Sequence, residues 1–195
     1  MRLALGNHVM RQHNHRADGK ADKPVNVSRA VRADVPSKPF GGDEDYAFSR
    51  DGARIVFSAR LSDRSEPWST NFDLYRFDAA GKQAPINLTA SNPAWDAGPV
   101  FSADGKTLYY RAMKRPGFEA DRLALMAMDL ASGKTREIAP DWDRSASSIT
   151  LSADGKHIYT TTQDVGTYPL YRVDIASGEA TKVVPGGTLA GYDLV

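Results

Sequence analysis

One short phrase occurs three times in 195 residues: FSRDG at 48–52, FSADG at 101–105 and LSADG at 151–155. Its aspartates, Asp51, Asp104 and Asp154, stand 53 and 50 residues apart. A period of that length marks a propeller, in which each repeat is one four-stranded blade. The correspondence continues past the turn. ARIVFSA, KTLYYRA and KHIYTTT follow the three glycines, with Ile55, Leu108 and Ile158 at equivalent places and aromatics at Phe57, Tyr109 or Tyr110, and Tyr159. A second hairpin comes next in each repeat, with Asp78, Asp129 and Asp174 placed shortly before Gly81, Gly133 and Gly178.

The chemistry of these phrases is that of hairpin turns. Asp and Ser oxygens accept local backbone N–H bonds, and Gly takes the backbone conformation other residues resist. The flanking segments alternate apolar residues and favour β-branched and aromatic types, which is strand chemistry. No segment has a long helical period. The expected fold is all-β: an incomplete β-propeller of about three and a half four-stranded blades with a period of about 50 residues.

The blocks read as an outer hairpin of a preceding blade at 7–28, blades at 44–90, 96–139 and 146–185, and the start of a further blade at 188–195. In the first block Gly19 would occupy the turn, and Val27 stands where Leu88 stands later. Closed propellers have four to eight blades, so both ends are expected to be cut and the chain to be an internal piece of a larger propeller. An open array exposes strand edges and apolar blade faces, so residues 1–195 alone are expected to self-associate.

Composition excludes several function classes. With 25 basic and 24 acidic residues the net charge is +1, which draws in neither nucleic acid nor an acidic membrane. There is no cysteine, hence no disulfide, thiolate nucleophile or cysteine-bound metal. MRLAL opens like a signal peptide, but Gly6, Asn7 and His8 end the apolar run, and no stretch approaches a membrane span. No cofactor is implied. The compartment of a parent protein, cytoplasmic or periplasmic, stays open.

The blade pattern resembles TolB-type and prolyl-oligopeptidase-type propellers. DVPSKPFGGDEDYAFS at 34–49, EPWSTNFDLY at 66–75, MKRPGFEADR at 113–122 and WDRS at 142–145 sharpen the resemblance toward the bacterial dipeptidyl peptidases and acylaminoacyl peptidases of the prolyl oligopeptidase family. The resemblance implies an α/β-hydrolase domain with a Ser-Asp-His triad after the propeller, as partner of this domain, and peptides as substrates. The sequence departs from that pattern in one respect: a nucleophile elbow needs Gly-x-Ser-x-Gly, and no such pentapeptide occurs here. No residue is assigned as nucleophile, base or triad carboxylate.

Successive antiparallel strands place the tight turns on one face of the propeller. The longer connections, 60–71, 113–121 and 162–168, fall on the opposite face, together with KPFGGDED, NPAWDAG and PDWDRS. Binding residues collect on such loops, and the candidates are Glu66, Trp68, Asn71, Arg115, Phe118, Glu119 and Arg122. A carboxylate could hold a peptide's α-ammonium, and an arginine its carboxylate or carbonyls. The competing reading is that these groups brace their own loops.

Other motifs carry less. Asp43, Glu44 and Asp45 lack calcium-loop spacing and read as a solvated loop. His13-Asn14-His15 spells HNH without a nuclease fold around it, and His8 and His157 read as surface or packed residues. Asn26-Val27-Ser28 and Asn87-Leu88-Thr89 match glycosylation sequons but share one repeat position. Trp95 and Trp142 are expected between blades, and Asp51, Asp104 and Asp154 are turn formers. Three readings of function follow: the substrate-gating propeller of a serine exo- or oligopeptidase, a TolB-like module binding a protein or peptide, or a non-functional gene remnant.

Overall fold

The computed structural model describes residues 10–11, 25–26, 28, 30–33, 35, 41–184 and 186–194. Fourteen strands form among them: β1 (Met10–Arg11), β2 (Val25–Asn26), β3 (Tyr46–Phe48), β4 (Arg54–Ala59), β5 (Asp73–Asp78), β6 (Ile86–Asn87), β7 (Asp96–Phe101), β8 (Thr107–Ala112), β9 (Ala124–Asp129), β10 (Thr135–Glu137), β11 (Thr150–Leu151), β12 (His157–Thr161), β13 (Leu170–Asp174) and β14 (Ala180–Val184). Strands β3 to β14 make three antiparallel sheets of four strands each, every sheet in simple chain order. This is the blade topology, repeated three times, and no α-helix forms among the described residues. Strands β1 and β2 pair over two residues, Met10 with Asn26 and Arg11 with Val25. Gly19, Val27, His8, His13, Asn14, His15, the segment 36–40 and Val195 lie outside the described residues.

The repeated phrase builds the same turn each time. Ser49 Oγ donates to Asp51 Oδ1 at 2.6 Å, and the Arg54 N–H donates back to Ser49 Oγ at 2.9 Å. Ser102 and Asp104, then Ser152 and Asp154, repeat the contact at 2.6 Å. These donors hold all three carboxyls below the usual carboxylate range, the serine hydroxyl being the largest cause. They are turn formers with no proton to exchange near neutral pH. The sequons have an equally local cause. The Thr89 N–H donates to Asn87 Oδ1 at 3.0 Å, and the Ser28 N–H to Asn26 Oδ1 at 3.1 Å, so both copies are the same Asx turn.

The second strand of the first two blades differs from the alternating pattern read in the sequence, which β12 of the third blade keeps. Ile55 through Ala59 are all buried, as are Leu108 through Ala112. A blade lies between two neighbours, so both of its faces are covered, as in a parallel sheet. Val56 and Leu74 of one blade pack on Leu108, Tyr110 and Met128 of the next. Tyr109, Leu125 and Ala127, on the other face of that blade, pack on Ile158 and Val173 of the third. On the far side of the first blade, Val31, Ala33 and Val35 cover Ile55, Phe57 and Phe77. Each fully buried aliphatic side chain at these seams contributes on the order of 1.5–3 kcal/mol.

Both tryptophans sit between elements. Trp142 packs among the residues of the second seam with its ring 5.3 Å from Tyr171, and Trp95 stacks on Phe72 at 5.0 Å. Asp43–Asp45 form a single 3-10 turn leading into β3, and Asp45 is buried there, so only Asp43 and Glu44 are the solvated residues expected. His157 is half-buried on β12, between Asp154 at 3.9 Å and Asp174 at 3.7 Å.

Candidate functional site

The turns of the repeats and the longer connections leave opposite ends of the blades, because each blade is a plain antiparallel meander. The long-loop face therefore carries 60–72, 113–123 and 162–169. The first two loops are joined: the Gly117 N–H donates to Thr70 Oγ1 at 2.8 Å. That bond sets Trp68 and Asn71 on one side of a common rim and Phe118 and Glu119 on the other.

Along this rim the charged groups divide into engaged and free. Glu66 opens a 3-10 turn, Glu66–Trp68, and lies 3.9 Å from Arg60, a long and half-exposed pair. Trp68 ends that turn with 72% of its surface exposed. Asn71 works as a brace: oriented to satisfy its amide, it donates to the carbonyls of Asn92 at 3.2 Å and Ala94 at 3.1 Å. Arg115 donates from Nε to Asp121 Oδ1 at 2.9 Å, and its guanidinium lies 4.0 Å over the Phe118 ring. The backbone N–H groups of Lys114 and Arg115 also donate to Asp121, which drives that carboxyl down to about 2. Arg122 pairs with Glu137 of β10 and donates to the Trp142 carbonyl at 2.9 Å. Glu137 also takes Lys114 at 2.8 Å, and these donors hold its carboxyl below the usual range against the opposing effect of burial.

The seven sequence-predicted residues thus occupy one face, but they do not converge. Asn71, Arg115 and Arg122 hold loops and seams together. Trp68, Arg115, Phe118 and Glu119 are exposed and Glu66 partly so, and of these Arg115 is already paired with Asp121. Arg122 faces the second seam, turned away from the rim that Trp68 and Phe118 share.

Two polar groups escaped the sequence reading. Asp96, the first residue of β7, is fully buried at the first seam. Its Oδ1 accepts from Asn92 Nδ2 at 3.0 Å, and its Oδ2 has no hydrogen-bond partner. Burial pushes this carboxyl up to about 7 against the opposing side-chain hydrogen bonds of Asn92 and Thr89, with the charge of Asp73 adding to the rise. Asp73 is itself buried and accepts from Asn87 Nδ2 at 2.8 Å, so the nitrogen that a sequon would offer for glycosylation is already engaged.

The second is Arg111 of β8, nine-tenths buried, whose Nη1 donates to the carbonyls of Ala146 at 3.3 Å and Ser147 at 2.5 Å. It lines a groove of about 420 Å³ between the first strands of the blades, with Tyr46, Phe48, Phe101 and Ile149 among its walls. The signal in the sequence was Gly98-Pro99 inside a strand, which reads as a bulge or a close approach. The register of β7 on β8 does shift between Ala97 and Val100.

No family model matches the chain. It is 28% identical over 170 residues to dipeptidyl-peptidase 5 of Porphyromonas gingivalis, a match that covers 87% of this chain and 25% of that protein. Among solved structures it is similar to a puromycin-hydrolyzing peptidase of Mycobacterium tuberculosis, with TM-score 0.61, 19% identity and coverage of 92% of this chain and 28% of that one. TolB from Acinetobacter baumannii matches with TM-score 0.58 and 16% identity, over 92% of this chain and 41% of that one. The two structural likenesses establish the fold. The chain spans about a quarter of the length of the curated relatives it matches. Blade repeat, sheet topology and relatives agree on an incomplete β-propeller, and the likeness to dipeptidyl-peptidase 5 supports a propeller domain of the kind that prolyl-oligopeptidase-family peptidases carry.

Proposed function

We propose that this chain is part of the substrate-gating propeller of a serine exo- or oligopeptidase, and that it acts on short peptides only together with an α/β-hydrolase domain. The observation that carries this reading is the likeness to dipeptidyl-peptidase 5 along 87% of the chain, which takes in both joined loops of the long-loop face. The work of such a propeller is steric and electrostatic. Blades locked at two apolar seams form a stiff wall that excludes folded substrates, while the rim meets the peptide. Glu66 and Glu119 are the carboxylates on that rim that can accept from an α-ammonium, and Trp68 and Phe118 supply apolar surface beside them. The charges of Arg115 and Arg122 are committed to Asp121 and Glu137, so these arginines hold the rim in shape.

The test is made on the protein as its cells produce it. An antibody raised against residues 96–184 is used to capture the native product, which is then treated with a fluorophosphonate that labels active-site serines. The expected outcome is a labelled polypeptide about four times the length of this chain, releasing dipeptides from unblocked peptide substrates. Capture of a product that takes no label overturns the peptidase reading.

A further inference from the structure

One short segment holds both joined loops of the rim, and it closes over a carboxyl group that has no counter-charge. At the foot of the first loop, Asn71 donates to the carbonyls of Asn92 and Ala94, and the Phe72 carbonyl accepts from the Asp96 N–H at 2.8 Å. At the foot of the second, the Met113 N–H donates to the Trp95 carbonyl at 2.8 Å, and Asn92 Nδ2 donates to the Met113 carbonyl at 3.0 Å. Residues 92–96 are thus the common footing of the rim that carries Trp68 and Phe118. The second hydrogen of the same Asn92 amide goes to Asp96 Oδ1, also at 3.0 Å. The footing is therefore tied to the carboxyl it covers.

Few donors are present to hold a charge on that carboxyl. Asp96 Oδ2 is buried without a hydrogen-bond partner. Asp73, on β5, takes Asn87 Nδ2 at 2.8 Å and the Thr89 hydroxyl at 3.4 Å. That hydroxyl accepts from the Leu74 N–H at 2.9 Å and carries a single hydrogen, which serves Asp73 or Asp96 but not both. Tyr110 acts on Asp96 from β8, Tyr75 stands beside Asp73, and β4 brings only Ser58, which donates to the Asp96 carbonyl at 2.6 Å. Lys114 lines the same small cavity as Asp96, but its Nζ is paired with Glu137 at 2.8 Å. Among the described residues no positive charge acts on either aspartate. Two buried carboxylates served by two amides and one shared hydroxyl are costly to ionise together, and one proton removes the conflict.

We propose that a single proton on the Asp73–Thr89–Asp96 group is the catch of the long-loop rim: with it in place residues 92–96 stay seated and both loops are held, and without it the segment lifts, water reaches the carboxylate, and the loops are released together. This concerns the rim itself and stands whether or not the parent protein is a peptidase.

The direction of the effect follows from burial. Asp96 titrates near 7 while the segment is seated, and near 3.8 once water surrounds it. Each pH unit between those two values favours the lifted state by a further factor of about ten. The rim is tightest in acid, loosens as pH rises toward 7, and changes no further above.

The whole chain, labelled with ¹⁵N, is followed by amide hydrogen exchange at about pH 4.5 and about pH 6.5, each rate divided by that of an unstructured peptide at the same pH. The Met113 and Gly117 amides report on the rim. The Thr167 and Leu189 amides, bonded to the carbonyls of Asp164 and Tyr168 in the third blade, are the reference. Met113 and Gly117 are expected to lose protection in step, by about fiftyfold between the two pH values, while the reference amides keep theirs. Asp121, which ties the second loop, is ionised at both values and adds nothing to the change. Asp96→Asn should abolish the loss; if that variant does not fold, the contrast between rim and reference in the unaltered chain decides. Rim amides indifferent to pH overturn the proposal, as does a loss that persists in Asp96→Asn. An equal loss at Thr167 and Leu189 also overturns it, because the whole molecule then responds and not the rim.

Discussion

Replacing Asp96 by Asn should make the protein more stable, and by an amount that depends on pH. The carboxyl of Asp96 titrates near pH 7 in the folded chain, whereas in an unfolded chain it titrates near 3.8. A raised carboxyl means that the folded state holds its proton longer than the unfolded state does. Stability is then unimpaired below about pH 4, declines as pH rises toward 7, and levels off above. The interval is about three pH units, each corresponding to about 1.4 kcal/mol, so the ionised carboxylate costs about 4 kcal/mol at pH 8. Asn at this position keeps an oxygen to accept from Asn92 and carries no charge to desolvate. Its amide N–H group, left without an acceptor, takes back about 1 kcal/mol. The variant should therefore gain about 3 kcal/mol at pH 8 and come near parity at pH 5. Urea unfolding followed by tryptophan fluorescence reads this directly, since Trp95 stacks on Phe72 beside the same seam. A gain of equal size at both pH values, or a loss at both, would refute the burial of a carboxylate without a counter-charge as the cause.

Two further outcomes are expected. Gly178→Ala should disrupt the second seam at a cost of several kcal/mol, because a Cβ there would come within 2.3 Å of the Ile138 carbonyl, whereas Gly105→Ala, with open space around it, should cost about 1 kcal/mol from backbone conformation alone; equal melting temperatures for the two variants would contradict the close approach. Val165 has φ 46 in a two-residue hairpin closed by Asp164 and Thr167, is 94% exposed, and precedes Gly166. Asn is the preferred residue there, so Val165→Asn should stabilise by about 1 kcal/mol, and an unchanged or lower melting temperature would show that the valine is making a contact of its own.

The turns were legible because everything that makes them lies within five residues: Ser49, Asp51 and Arg54 contact one another and little else. Strand order followed from the period. What the sequence could not show are the contacts made across a whole repeat. Arg111 reaches Ala146 and Ser147, 35 and 36 positions away, and nothing near it distinguishes it from Arg172, an exposed strand arginine. Asp96 stands in a strand where an acid would ordinarily face water, and it is buried because Asn92 and the neighbouring blade close over it. On the long-loop face the residue types were visible, but not their pairing. Arg122 is spent on Glu137, fifteen residues on, so it reads as a binding arginine until the outer strand is in place.

The second strand of the first two blades is buried on both sides. A single blade in water would leave one of those walls bare, so folding is settled between neighbours more than within a repeat. The middle blade, covered on both sides, should be the last to exchange its amide hydrogens, with protection declining toward either side. The same arrangement makes the array easy to lengthen. A copied unit of about 50 residues brings one wall to cover its predecessor and another for its successor, and no existing contact has to be rebuilt to admit it.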